Sequence, residues 1–170
     1  LEFKDPKDNG RHYLFVKDEG GLIRISYCDE NGADTDGRGC SRFWISIPAY
    51  ADECIYGCGE TYSKLDLKGE KVRIFVAEHQ NTKRIGGKLI RETLTGKAPE
   101  HTLPFDRYES YCAAPTFVSS KKYFVHLDIS AFATFDFSQK DRTVIYTQEA
   151  PVIYMKQCGS FEQISEEIAG

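Results

Sequence analysis

The residues best equipped for chemistry sit in a few short strings. YGCGETYSKLDLKG, residues 56–69, sets Gly57 and Gly59 just before the acid Glu60, the look of a phosphate-cradling loop. Such a loop needs a GxxG or GK[ST] continuation so that backbone N–H groups and a lysine can surround the phosphates, and neither follows. The stretch reads instead as a structural turn. Gly57 and Gly59 let the chain bend tightly between strands, Gly69 serves the next hairpin through a positive φ, and Glu60 fixes the turn by accepting backbone N–H groups. CIYGC, residues 54–58, separates its cysteines by three residues, not the two of redox and zinc knuckles, and no nearby Cys/His pair completes four ligands. DENGADTDG, residues 29–37, resembles half of a calcium loop, with the wrong ligand spacing and no distal bidentate Glu, so it reads as a polar hairpin turn. Glu78, His79, Glu100 and His101 offer metal ligands or an acid–base pair in type only, because nothing fixes their geometry. No GxSxG elbow occurs. Neither a metal nor a cofactor is expected.

The elements that must position these residues are strands. The 170 residues are 41% hydrophobic, enough for one sizeable core, and include 11 Phe and 10 Tyr. Strand-like runs occur at 11–17, 22–28, 41–48, 54–60, 71–79, 108–119, 122–129, 132–138, 143–148 and 152–158, joined by turns rich in Gly, Asp, Asn and Lys. That spacing predicts an all-β, antiparallel sandwich rather than βαβ units. One helix is expected over 160–170, where Ser160 and Gln163 form a capping box and Phe161, Ile164 and Ile168 share a face. Residues 79–107, HQNTKRIGGKLIRETLTGKAPEHTLPFDR, fit neither strand nor helix, and a connection of that length in a compact domain is usually functional or disordered.

Composition excludes several classes. The net charge is −4 with scattered basic residues, so the chain lacks the basic stripe that nucleic acid requires. No apolar run approaches the roughly 20 residues of a membrane span, and LEFKDPKDNG is not a signal peptide, which together point to the cytoplasm. The six cysteines are expected as buried or strand-face thiols, because a chain of this size does not need a disulfide framework.

DECIYGCGETYSKLDLKGEKVRIFVAEH (52–79) resembles the signature of the amino-terminal β-sandwich of glycoside hydrolase family 31: a strand entering a YGxGE turn, an aromatic, an LxGK-type turn, then a strand ending in an acid. YCAAPTFVSSKKYFVHLDISAFATFDFS (111–138) is similar to a second family block, in the family's order, and the pair looks closest to the sulfoquinovosidase-like branch among α-glucosidases and α-xylosidases. The resemblance implies a galactose-mutarotase-like sandwich over 1–159, with 160–170 as the start of a helix leading into a (β/α)8 barrel that is absent here. The family's two catalytic carboxylates, about 5 Å apart, would lie in that barrel, so no catalytic residue is expected in this chain. By position, 79–107 would be the loop that reaches the rim of the sugar pocket, with His79, Gln80, Asn81 and Arg84 approaching substrate. Amides, imidazoles and guanidinium forks suit hydroxyls and acidic substituents. The implied partners are the chain's own barrel, docking on an exposed apolar patch, and a carbohydrate. Two other readings stand beside this one. A stand-alone carbohydrate-binding module would need an aromatic platform, for which Trp44, Tyr56, Tyr62 and Tyr108 are candidates. A mutarotase-like domain would need a histidine beside a carboxylate.

Overall fold

The computed structural model describes residues 2–4, 11–28, 42–60, 64–74 and 112–169. Among them are eleven strands and one helix. In chain order the strands are β1 (Glu2–Lys4), β2 (Arg11–Glu19), β3 (Leu22–Cys28), β4 (Phe43–Pro48), β5 (Ile55–Gly59), β6 (Lys71–Ile74), β7 (Ala113–Ser119), β8 (Tyr123–Asp128), β9 (Ala133–Asp136), β10 (Arg142–Thr147) and β11 (Val152–Gln157), followed by helix α1 (Phe161–Ala169). They form a seven-stranded sheet ordered β1-β2-β3-β11-β8-β7-β5 and a four-stranded sheet ordered β4-β10-β9-β6. Every pairing is antiparallel. The described residues form the expected antiparallel β fold with a C-terminal helix. No helix among the described residues is long and apolar enough to cross a membrane.

The core follows from period-two alternation. On β10, Thr143, Ile145 and Thr147 are buried while the residues between them are not, and on β6 Val72 and Ile74 alternate with exposed Lys71 and Arg73. Phe117 of β7 bridges the two layers, meeting Phe135 and Phe137 edge-on at centroid distances of 5.3 and 5.1 Å. That perpendicular geometry suits the ring quadrupoles. The sheets are unequal in width. Ile25 packs against the core, yet Val16 and Ile23, which share its face in the β2–β3 ladder, remain exposed. An apolar strip therefore lies on the core-facing side of the wider sheet, past the cover of the narrower one.

Helix α1 begins with half of the expected capping box. Ser160 Oγ accepts the Gln163 N–H at 3.3 Å, but the Gln163 side chain reaches back to the Gly159 N–H at 2.8 Å, one residue before the cap. The helix buries Ile164, leaves Phe161 and Ile168 exposed on either side of it, and is tied to β11 by the Lys156–Glu167 ion pair.

Candidate functional site

The expected rim residues His79, Gln80, Asn81 and Arg84, with the whole span 75–111, lie outside the described residues, as do Tyr62 and Tyr108. The two ends of that span are described. β6 ends at Ile74 in the four-stranded sheet, and β7 begins at Ala113 in the seven-stranded one. Ile74 and Ala113 line one concavity of about 280 Å³, together with Pro115, Ile129, Ser130, Ala131 and Phe132. The span thus leaves one sheet and re-enters the other at a single place. None of the described residues lining this concavity is ionisable, so the described part of the site is an apolar wall.

Gly57 and Gly59 lie next to that wall, inside strand β5 and not in a turn between strands, whereas Gly69 sits in the turn just before β6. β5 pairs Ile55 with Ser119 and Gly57 with Phe117, then slips so that Gly59 faces Ala113. The slack falls on β7 around Pro115, which cannot donate to the ladder. Gly57, Cys58 and Gly59 all take positive φ, at 109°, 64° and 89°. A Cβ on Gly57 would lie 2.7 Å from the Thr116 carbonyl oxygen and one on Gly59 only 1.9 Å from that of Cys112. Close backbone approach demands these glycines, and a sharp bend between strands does not. Beyond the slip, the Glu60 N–H donates to the Cys112 carbonyl at 3.0 Å. Gly69 has positive φ (86°) with open space around it, and its N–H donates to the Phe137 carbonyl at 3.0 Å.

Sequence reading passed over the two carboxylates that organise this end of the sandwich. Asp66 Oδ1 accepts the N–H groups of Ile55 and Lys68, both at 3.0 Å. Burial pulls its carboxyl upward, but those N–H donors, together with the Cys54 thiol and the charge of Lys64, hold it below the usual carboxylate range. Glu53 is buried. Its Oε2 accepts from Ser119 Oγ (2.7 Å) and Tyr123 Oη (3.0 Å), and its Oε1 from Lys68 Nζ (3.1 Å) and the Tyr50 N–H (3.3 Å). Four donors fill a carboxylate's acceptor sites, so Glu53 ties the 49–53 turn to β7 and β8 and is not set up for proton transfer. Nothing in the triplet DEC sets Glu53 apart from its neighbour Asp52, because the difference arises from contacts 66 and 70 residues away.

Two remaining expectations can be placed. His126, the one histidine whose side chain is described, shares a 2.7 Å hydrogen bond with Thr116 Oγ1 and not with a carboxylate. Of the aromatic candidates, Tyr56 is half-buried on β5, whereas Trp44 is 59% exposed on the outer face of the four-stranded sheet. There it meets Tyr146 at 5.0 Å in a groove of about 500 Å³.

No family model matches the chain. The sulfoquinovosidase of Escherichia coli K12 is 35% identical over 132 residues, 75% of this chain and 19% of that protein. The sulfoquinovosidase of Agrobacterium fabrum C58 is 29% identical over 127 residues, 72% of this chain and 17% of that protein. A solved family 31 sulfoquinovosidase from E. rectale, in complex with an aza-sugar inhibitor, superposes with a TM-score of 0.65 and 23% identity over 95% of this chain and 24% of that one. The chain is thus similar to one part of sulfoquinovosidases, and it shares its fold with a family 31 member of that group. It spans less than a fifth of the length of the curated relatives it matches.

Proposed function

We propose that this chain is the non-catalytic β-sandwich of a longer retaining glycosidase, and that it packs on a catalytic (β/α)8 barrel following α1. It holds residues 79–107 at the rim of the sugar pocket. The observation that carries this reading is the mismatch of lengths: 75% of the chain aligns with a sulfoquinovosidase that it fills to only 19%. The remaining four-fifths of such a protein is where the carboxylate pair of a retaining mechanism would reside. Three features support it. The span bearing His79, Gln80, Asn81 and Arg84 is anchored in both sheets at one apolar wall. The strip of Val16 and Ile23 and the exposed Phe161 and Ile168 of α1 offer apolar surface for the barrel to cover. Both named relatives act, by name, on a sulfonated glucoside, and an arginine fork such as that of Arg84 can hold a sulfonate through two parallel hydrogen bonds.

The test uses the full-length protein. Arg84→Ala should lower kcat/KM for an aryl sulfoquinovoside at least tenfold, a loss of about 1.4 kcal/mol in transition-state binding. Unchanged kinetics would remove the rim loop from the proposal, and turnover by the 170-residue chain alone would overturn its non-catalytic assignment.

A further inference from the structure

The outer face of the four-stranded sheet carries a second concentration of chemistry, which the reading above does not use. Strand register sets two rows across it. Trp44, Tyr146, Thr134 and Arg73 form one, and Ser46, Val144, Asp136 and Lys71 the other. With Arg42 and Phe132 at the margins, most of these residues line the groove of about 500 Å³. The Trp44 and Tyr146 rings meet at 5.0 Å and 43°, and Phe132 lies 6.5 Å from Tyr146. Beside them Lys71 Nζ stands 3.5 Å from Asp136 Oδ2; Asp136 Oδ1 already accepts from the Ser138 N–H and hydroxyl, so Oδ2 and the Lys71 ammonium are the groups that retain hydrogen-bonding capacity.

We propose that this face is a carbohydrate-binding platform, in which the Trp44 and Tyr146 rings stack on the C–H face of a pyranose while Asp136, Lys71 and Arg73 bind its hydroxyls. A cross-strand aromatic pair stabilises a sheet by only about 0.2–1 kcal/mol, and it does not need the largest side chain with most of its surface in water. A rigid apolar ring with a polar tip, bordered by donors and an acceptor, matches a ligand that is apolar on its faces and polar around its edge. On the reading above, the rest of the longer protein is the poorer occupant, because the surfaces proposed to meet it, α1 and the Val16–Ile23 strip, both belong to the opposite layer.

Affinity electrophoresis of the full-length protein through gels containing amylose, dextran or xylan tests the proposal. Retardation is expected in at least one gel, and Trp44→Ala should abolish it while leaving hydrolysis of a small aryl glycoside unchanged. Arg73→Ala, which leaves the aromatic pair intact, should weaken retardation several-fold. Trp44 is the chain's only tryptophan, so its fluorescence in the 170-residue chain should shift saturably on titration with the oligosaccharide of the retarding polymer. No retardation in any gel, retardation that survives Trp44→Ala, or a protein dimer that Trp44→Ala dissociates would each overturn the proposal. Hydrolysis is read separately, so Trp44-dependent retardation in a protein without glycosidase activity would sink the glycosidase reading and keep this one.

Discussion

Thr143 and Thr147 share the inward face of β10 and are both fully buried, yet their hydroxyls meet different surroundings. Thr147 Oγ1 donates to the Glu149 carbonyl, whereas Thr143 Oγ1 has no hydrogen-bond partner. A buried, unpaired hydroxyl costs about 1–3 kcal/mol. Thr143→Val should therefore leave stability unchanged or raise it by about 1 kcal/mol, while Thr147→Val lowers it by about as much, as urea unfolding would read. Two buried acidic groups set a pH limit. Burial pushes the Cys58 thiol up to about 12 from its ordinary 9.0. Burial, and secondly the charge of Glu53, also raises the Tyr123 phenol above its ordinary 10.0. Both groups hold their protons more tightly folded than unfolded, so their contribution is complete below about pH 9 and is lost as pH rises from 9 toward 12. The urea midpoint should fall between pH 8.5 and 11, and Tyr123→Phe should flatten the upper part of that fall; an unchanged midpoint would contradict the assignment.

The β5–β7 ladder separates glycines that look alike in sequence. Gly59 combines positive φ with a 1.9 Å clash for any Cβ, whereas Gly69 has positive φ in open space. Gly59→Ala should cost more than about 3 kcal/mol, because β7 must move, and Gly69→Ala only about 1 kcal/mol from backbone strain. Equal thermal shifts would show that β7 yields easily. This pair also marks how far the sequence could be read. Val72 and Ile74 set between Lys71 and Arg73, or Thr143, Ile145 and Thr147, announce strands because burial on one face imposes period two. The slip opposite Pro115 leaves no such trace, because it depends on which strand lies beside β5, a fact set by Ala113, 54 residues after Gly59. The capping box was half legible for a related reason: Ser160 acts locally, but the preceding turn brings the Gly159 N–H to Gln163. The same limit hid Glu53 and Asp66, whose partners are assembled by tertiary structure.

For the molecule as a whole, the unequal sheets leave part of the core-facing side uncovered. A sandwich that closed its own core would hide Val16, which shares a face with the core residue Ile25, yet Val16 is 53% exposed. The hydrophobic effect acts on this strip only if another surface covers it, at about 25 cal/mol per Å² removed from water. Under the proposal that a catalytic barrel supplies that surface, the double substitution Val16→Ser and Ile23→Ser behaves differently in two settings. In the 170-residue chain both positions face water, so unfolding should shift by no more than about 0.5 kcal/mol each. In the full-length protein the same changes remove apolar contact from an interdomain interface. The sandwich should then unfold in a separate transition ahead of the barrel, visible by calorimetry as one endotherm splitting into two. A single unchanged endotherm would mean that the strip is not where the rest of the protein packs, and that α1, through Phe161 and Ile168, carries the contact instead.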